Sequence, residues 1–492
     1  MLNIYLLLAV AASALAFSLV RAARCPVSKI PGPWYSRFTR LVLKYHILAG
    51  REMYHLDDLH RRHGPVVRIA PGEVAVADLA AYARIHRVGS PFLKGPWYDS
   101  VNPGIFALRD PKRHGERRRL FARAFSKTAL RANWEAAVRR TVEKTMGRIK
   151  AEAEAEGGSA DVLKWWTLMA TDVIAHLSFG ESFDMVGLGR TTPYVNAIQS
   201  SLLSSGLRWE LPLLHAVARR LPVRAVQEVV NCEALIARYS GKAVRNLRES
   251  GRAQNLFSQI VALSASPDAA AEKDKEEREA QSHHLSDLSV RLEATNLIVA
   301  GSDTTASTMT YLVWAVLKRP QLQCRLEEEV AVLPAGFTEV DLEALPLLNS
   351  VIDETLRLYG AAPGALQRYV PEGGATMAGY FLPAGTVVCT QAYTMHRDGA
   401  VFEHPESFDE DRFMRPQSRE QKLAFSAFGT GSRICLGIHL ARMELRLATA
   451  LFFRECRGAR LSPDTTDAVM EMEHHFLVAP KGHFCNITLP SV

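Results

Sequence analysis

The 492-residue sequence is poor in cysteine, and what it has is arranged against two common uses of that residue. Its seven cysteines, Cys25, Cys232, Cys324, Cys389, Cys435, Cys456 and Cys485, are odd in number, scattered, and form no Cys-x-x-Cys pair. Disulfide frameworks and zinc sites both show regular spacing, so neither is expected. The thiols suit a reducing compartment, where one can be kept free for chemistry. No Gly-x-Gly-x-x-Gly segment is present, so the chain has no dinucleotide fingerprint of its own. No internal repeat is visible. Long apolar runs are also lacking, with one exception at the N-terminus. What remains is 48% hydrophobic and 23% charged, the balance of a folded globular protein rather than a disordered or collagen-like one. The net charge of +7 suits an anionic membrane surface, an acidic partner protein or simply a solvated surface. No nucleic-acid partner is expected.

The exception is Leu2 to Val20, interrupted only by Asn3, Ser13 and Ser18 and long enough as a helix to cross roughly 30 Å of hydrocarbon. Arg21 and Arg24 follow it, which by the positive-inside rule leaves the rest of the chain cytosolic. Ala14-Leu15-Ala16 resembles a signal-peptide cleavage site, but no basic segment precedes the apolar run and the cations follow it. An anchor over 1–24 is therefore expected, then a Pro-rich hinge and linker over 25–50 (Pro26, Pro31, Gly32, Pro33), and one catalytic domain over 51–492.

From Arg51 onward, apolar spacing of three and four residues predicts helices such as Leu120 to Ala137 and Val162 to Phe179. Val66–Ala70 and Glu73–Val76 flank Pro71-Gly72 and read as a hairpin, and Thr386 to Cys389 reads as a strand. The fold class is mainly α with small β-sheets. Pro267 to His284, rich in Lys, Glu, Asp and Ala, reads as a solvated connector. Leu285 to Leu317 then forms one long helix, apolar on nearly all sides from Leu297 and so expected to run through the core.

Phe428-Gly429-Thr430-Gly431-Ser432-Arg433-Ile434-Cys435-Leu436-Gly437 places one cysteine in a glycine-rich loop just before a helical run, Ile438 to Phe452. Glycines let backbone approach a flat ligand and turn N–H groups toward the sulfur, which with the helix N-terminus favours a thiolate. Arg433 can direct its guanidinium to a carboxylate. This segment resembles the haem loop of the cytochrome P-450 superfamily, Phe-x-x-Gly-x-Arg-x-Cys-x-Gly, at every defined position.

The resemblance implies a P-450-type fold, haem b with Cys435 as the axial iron ligand, and haem contacts from Phe428, Gly431, Arg433 and Gly437. Three further segments follow the family order. Glu354 and Arg357 share a helix face, and with Arg412 they resemble the Glu-x-x-Arg motif and its later arginine, a structural triad supporting the haem loop; Glu410 stands where a proline is usual, leaving the turn there open. Ala300-Gly301-Ser302-Asp303-Thr304-Thr305 resembles the oxygen-activation signature. There Gly301 is expected to make room for oxygen and substrate, and Asp303 and Thr304 to relay protons, while Thr305 and Thr308 suit back-bonding to the preceding turn. His114 and Arg118 stand at the Trp-x-x-x-Arg position with His replacing Trp, Arg118 pairing a propionate. Arg368 resembles the third propionate arginine. Arg117 and Arg119 are expected to be solvated or part of a reductase-docking surface.

These resemblances imply a monooxygenase that hydroxylates, epoxidises or desaturates a lipophilic small molecule with electrons from NADPH through a membrane-bound NADPH-cytochrome reductase. The chain is then single-pass in the endoplasmic reticulum membrane, similar to fungal secondary-metabolism members. Substrate contacts are expected from Trp97–Phe106, Ile198–Leu214, Asn296 and Ala300, and Ala361–Leu366. A haem-thiolate isomerase or dehydratase shares the cysteine loop without needing the Asp303-Thr304 relay, and a non-enzymatic haem protein needs neither relay nor reductase.

Overall fold

The computed structural model describes residues 25–155, 158–230 and 287–490, with isolated positions in 1–24 and 231–256. Apart from such positions, the Leu2–Val20 run lies outside the described residues, as does the connector 267–284. Among the described residues no helix is long and apolar enough to cross a membrane.

Strands β1 (Val66–Ala70) and β2 (Glu73–Val76) form the expected antiparallel hairpin, its turn made by Gly72 at φ +79. The sheet grows by β3 (Ala365–Tyr369) and β4 (Val387–Gln391) in the order β1-β2-β4-β3, with β2 parallel to β4 and β3 antiparallel to it. The segment before β1 is bound to it by Arg68. That fully buried guanidinium donates to the carbonyls of Ser28 (2.9 Å), Ile30 (2.6 Å) and Pro33 (3.3 Å), collecting acceptors that a proline-rich stretch cannot pair within itself.

The rest is helical. The run expected from Leu120 to Ala137 divides into α1 (Pro111–Ala122) and α2 (Lys127–Glu154), because Ser126 accepts from the Ala129 N–H and starts a new helix. Helix α3 (Val162–Phe179) matches its expected bounds, and α4 (Pro193–Glu210) follows. Helix α5 (Asp287–Leu317) is the long central helix; it packs along α3 and against α6 (Pro346–Tyr359) and α7 (Ile438–Glu455). Its buried Ala306, Met309, Leu312, Val313 and Val316 join the main core with Ile174, Leu177, Leu447 and Leu451.

Gly301 departs from expectation. A Cβ there would meet Ile174 Cγ1 at 2.8 Å and Cβ at 3.0 Å, so the missing side chain lets α5 approach α3, rather than opening space for oxygen and substrate. Helix propensity favours a larger residue by about 1 kcal/mol, but overpacking against Ile174 costs about 1–3 kcal/mol. Gly301→Val should therefore lower the denaturant midpoint by about 2 kcal/mol of stability, and in a double-mutant cycle Ile174→Ala should offset it with a coupling of about 1–2 kcal/mol. Purely additive losses would show that the two residues do not touch.

Candidate functional site

The Cys435 loop is shaped by backbone. Cys435 N–H donates to Phe428 O at 2.8 Å, closing the loop on itself, and Gly429 and Gly431 adopt φ +68 and +65, where side chains are disfavoured. Gly431 is further constrained because a Cβ would lie 1.9 Å from His86 O. Cys435 is exposed by surface area yet enclosed by protein, so its thiol faces an internal hollow. Burial raises this thiol above its ordinary range; the Gly437 N–H, which donates to the sulfur, and Arg118 act the other way without offsetting it. A loop N–H thus favours the thiolate as expected, and burial acts against it. Deprotonation has to come with a metal, which removes the proton from a coordinating thiol outright.

Around the loop the structure gathers cations that had been expected separately. Arg433 donates to Leu108 O (2.7 Å) and Arg109 O (3.0 Å), Arg118 to Ile434 O (2.8 Å), and Arg368 to Gln367 O (2.8 Å) and the Tyr98 hydroxyl (3.4 Å). Lys94 joins them. Its backbone bridges to Arg368 beside β3, and its ammonium lies 4.4 Å from the Tyr98 ring centroid and 4.6 Å from that of Phe106. Among the described residues no carboxylate side chain hydrogen-bonds to any of the four. Repulsion among the cations acts on Arg433, Lys94 and the neighbouring His114. Burial and then Arg368 lower Arg433 to about 10, burial with Arg368 and Arg433 holds Lys94 well below the lysine range, and burial with Arg433, Lys94 and Arg118 lowers His114 to about 3. An uncompensated cationic pocket beside an enclosed thiol fits a flat, dianionic iron ligand such as haem. Lys94 was missed in the sequence, although a lone cation between Phe92-Leu93 and Pro96-Trp97 is the signal that could have found it.

The triad forms. Glu354 accepts from Arg357 Nε and Nη2, each at 2.7 Å, and from Arg412 Nε at 3.1 and 3.2 Å, all three side chains being almost wholly buried. The turn at Glu410 keeps this arrangement without a proline, its carbonyl accepting from Ser350 Oγ. A further residue, His396, connects the triad to the cysteine loop: its Nδ1 bonds Arg357 O at 2.8 Å and its Nε2 accepts from Ser426 N–H at 2.9 Å. Nothing in the sequence around His396 signals this, because both partners are distant backbone groups.

On α5, Thr304 Oγ1 donates to Ala300 O at 2.6 Å and Thr308, as expected, to Thr304 O at 2.8 Å, while Thr305 lies beside buried Glu444 of α7. Asp303 and Thr304 stand next to one another in the turn of α5 that begins at Ala300. The segment 103–106 is fixed to α5 by Asn296 Nδ2, which donates to Pro103 O (3.1 Å), and by Glu293, which accepts from Ile105 N–H (3.0 Å). Arg117, expected to be solvated, instead pairs with buried Glu293 at 3.0 Å, while Arg119 is exposed as expected. A missed contributor is Phe476, at φ +82 between β5 (Met472–His475) and β6 (Leu477–Pro480), stacked on Trp97 at 4.9 Å. The side chain of Ile198, in another expected substrate segment, lies outside the described residues.

The sequence matches the family model described as Cytochrome P450 over residues 31–487. It is 40% identical over 482 residues to the cytochrome P450 monooxygenase cypX of Dothistroma septosporum, covering 94% of this chain and 91% of that protein. With the cytochrome P450 monooxygenase stcB of Emericella nidulans it shares 39% over 479 residues, 94% of this chain and 89% of that one. The methylphloroacetophenone oxidase of Cladonia uncialis is 33% identical over 403 residues, 77% of this chain and 84% of that protein.

Burial pushes His396 down from 6.5 to about 3, so it stays neutral in the fold. A depressed histidine contributes stability that is complete above its unfolded value and is lost as pH falls toward the folded one. Between pH 6.5 and about 4, wild type should therefore lose about 1.4 kcal/mol per pH unit more than His396→Gln in urea titrations. Parallel pH profiles would remove His396 from the acid response.

Proposed function

Because this chain belongs to the cytochrome P450 family and is a cytochrome P450 monooxygenase, we propose that it transfers one oxygen atom of O2 to a lipophilic small molecule in fungal secondary metabolism. The balance is RH + O2 + NADPH + H+ giving ROH + H2O + NADP+, with the reducing equivalents delivered by a separate NADPH-dependent reductase. The single observation that carries the reading is the enclosed Cys435 thiol beside a pocket of cations to which, among the described residues, no carboxylate side chain hydrogen-bonds.

Haem would supply the dioxygen chemistry when bound, and Cys435 would hold its iron through the sulfur. Arg118, Arg368, Arg433 and Lys94 would hold its propionates, and the Gly437 N–H would temper the sulfur charge. Thr304 has its proton engaged with Ala300 O, so its oxygen can accept a hydrogen bond from the cavity and position a proton donor; Asp303 acts behind it as the acid. Trp97, Phe106 and Phe476 supply an aromatic wall for an apolar substrate. The Leu2–Val20 run serves as the membrane anchor, with the catalytic part on the cytosolic side, where a reductase of the same membrane reaches it.

Reduced, CO-bound protein should show the red-shifted Soret band of thiolate ligation, and Cys435→Ser should lose it; a band that survives the substitution assigns the ligand elsewhere. Deleting the gene and comparing metabolite extracts should reveal an accumulated precursor, the substrate.

Thr304→Ala should leave that band in place and NADPH consumption running, while product per NADPH falls several-fold and peroxide rises to match. Unchanged coupling would take Thr304 out of proton delivery.

A further inference from the structure

Between Pro103 and Phe106 the chain forms neither helix nor strand, so its backbone polar groups need partners from elsewhere. Gly104 O accepts locally, from the N–H groups of Ala107 and Leu108 at 3.0 Å each. Buried side chains of opposite charge supply the rest. On one side Ile105 N–H donates to Glu293, 3.0 Å from each carboxylate oxygen, and on the other Phe106 O accepts from the Lys94 ammonium. The backbone there runs between an anion at its N–H and a cation at its carbonyl, the sense that both charges favour. Asn296 adds a third tie at Pro103 O, and Gly104 packs so closely that a Cβ would overlap Asn296 Nδ2 and lie 3.0 Å from Glu293 Oε2.

Glu293 is 1% exposed, a costly place for a charge unless another answers it. Arg117 of α1 does so at 3.0 Å while keeping 24% of its side chain in solvent. Burial pushes the carboxyl up, and the Ile105 N–H and Arg117 act against that rise. What the clamped segment carries is Phe106. Its ring centroid stands 6.3 Å from that of Trp97, 5.4 Å from Tyr98 and 5.7 Å from Phe476, at the centre of the aromatic wall. Apolar ring contacts are non-directional, so the backbone ties are what fix where this ring stands. Glu293 precedes Thr304 by eleven residues, about three helical turns and about 16 Å along α5, which puts both on one face of the helix. The clamp therefore sits at the far end of the face that carries Thr304.

We propose that Glu293 is a specificity-determining positioning residue: held by Arg117, its carboxylate clamps the backbone at Ile105 and so keeps the Phe106 ring in the wall against which an apolar, ring-containing substrate packs. The inference rests on the haem-thiolate reading of the site. A polar pair behind the wall thus decides how well the wall receives an aromatic guest.

The test uses the haem-loaded, full-length enzyme with two probes, N-phenylimidazole and imidazole, which share the nitrogen that ligates iron and differ by one phenyl ring. Binding is read from the shift of the Soret band. In Glu293→Leu the dissociation constant for N-phenylimidazole should rise about tenfold and that for imidazole less than about twofold, since only the phenyl ring uses the wall. Glu293→Gln, whose amide oxygen still accepts from Ile105 N–H while Arg117 turns to solvent, should stay within about threefold of wild type for both probes. Phe106→Ala leaves α5 untouched and should weaken N-phenylimidazole as much as Glu293→Leu does, and the double variant no further. Amide exchange reads the clamp directly: at Ile105 it should be about tenfold faster or more in Glu293→Leu, with α3 unchanged. Equal losses for the two probes, losses that add in the double variant, or an Ile105 amide unmoved by Glu293→Leu overturns the proposal. Should Glu293→Leu load no haem, Phe106→Ala and the Ile105 exchange decide, and unaltered discrimination between the probes in Phe106→Ala overturns it equally. Wild type that shows no Soret shift with either probe overturns the haem reading instead, and the exchange at Ile105 still decides the clamp.

Discussion

Much of this molecule is organised around one carboxylate. Glu354 accepts hydrogen bonds from two arginines in a region closed to water, and those arginines in turn donate to the carbonyls of His396, Pro405 and Glu403. A buried ion pair alone is a weak source of stability, since desolvation consumes most of the attraction. Here its effect is geometric. The guanidinium groups of Arg357 and Arg412 gather a loop segment that has few backbone partners of its own, and His396 carries the same order to Ser426, two residues before the cysteine loop begins. Neutralising Glu354 would leave two buried cations facing each other across the segment that must present Cys435.

The second constraint is electrostatic and remains unbalanced within the chain. Lys94, His114 and Arg433 are lowered by burial and by the cations around them, and the hydrogen bonds of Lys94, Arg118, Arg368 and Arg433 go to carbonyls and one hydroxyl. Proteins seldom collect buried cations without an anion to answer them. The protein therefore carries a destabilising feature that a bound dianion removes, and by mass action such a ligand stabilises the fold that binds it. Cys435 follows the same logic. Its thiol is held above its ordinary range until a metal displaces the proton, which makes loading of the cofactor a proton-releasing event.

The central helix α5 shows how apolar and polar constraints divide the work. Close approach to α3 at Gly301 and burial of its leucines, valines and methionine set where the helix lies. The hydroxyls set how it is turned. Most satisfy themselves within the helix, while Asn296 and Glu293 reach the segment 103–106. Substrate walls, proton-delivering residues and thiolate loop are thus registered against one another through a few directional contacts.

The sequence by itself determined the chemistry and much of the local order. The cysteine loop, the Glu354–Arg357 spacing, the hairpin at Gly72, the bounds of α3 and the C-terminal end of α5 were all legible, because each depends on neighbours within a few positions. It also named Arg118, Arg368 and Arg433 one at a time. What it could not hold is anything set by distance through the core. The break at Ser126 was hidden because apolar spacing runs on through the cap. Gly301 read as an opening because Ile174 is remote in sequence, Arg117 read as solvated because Glu293 is, and His396, Lys94 and Phe476 acquire their meaning only from partners on other elements. Burial decided the rest. At the cysteine loop, burial by the surrounding protein raises the thiol while the local donors lower it, a balance that no short stretch of sequence displays.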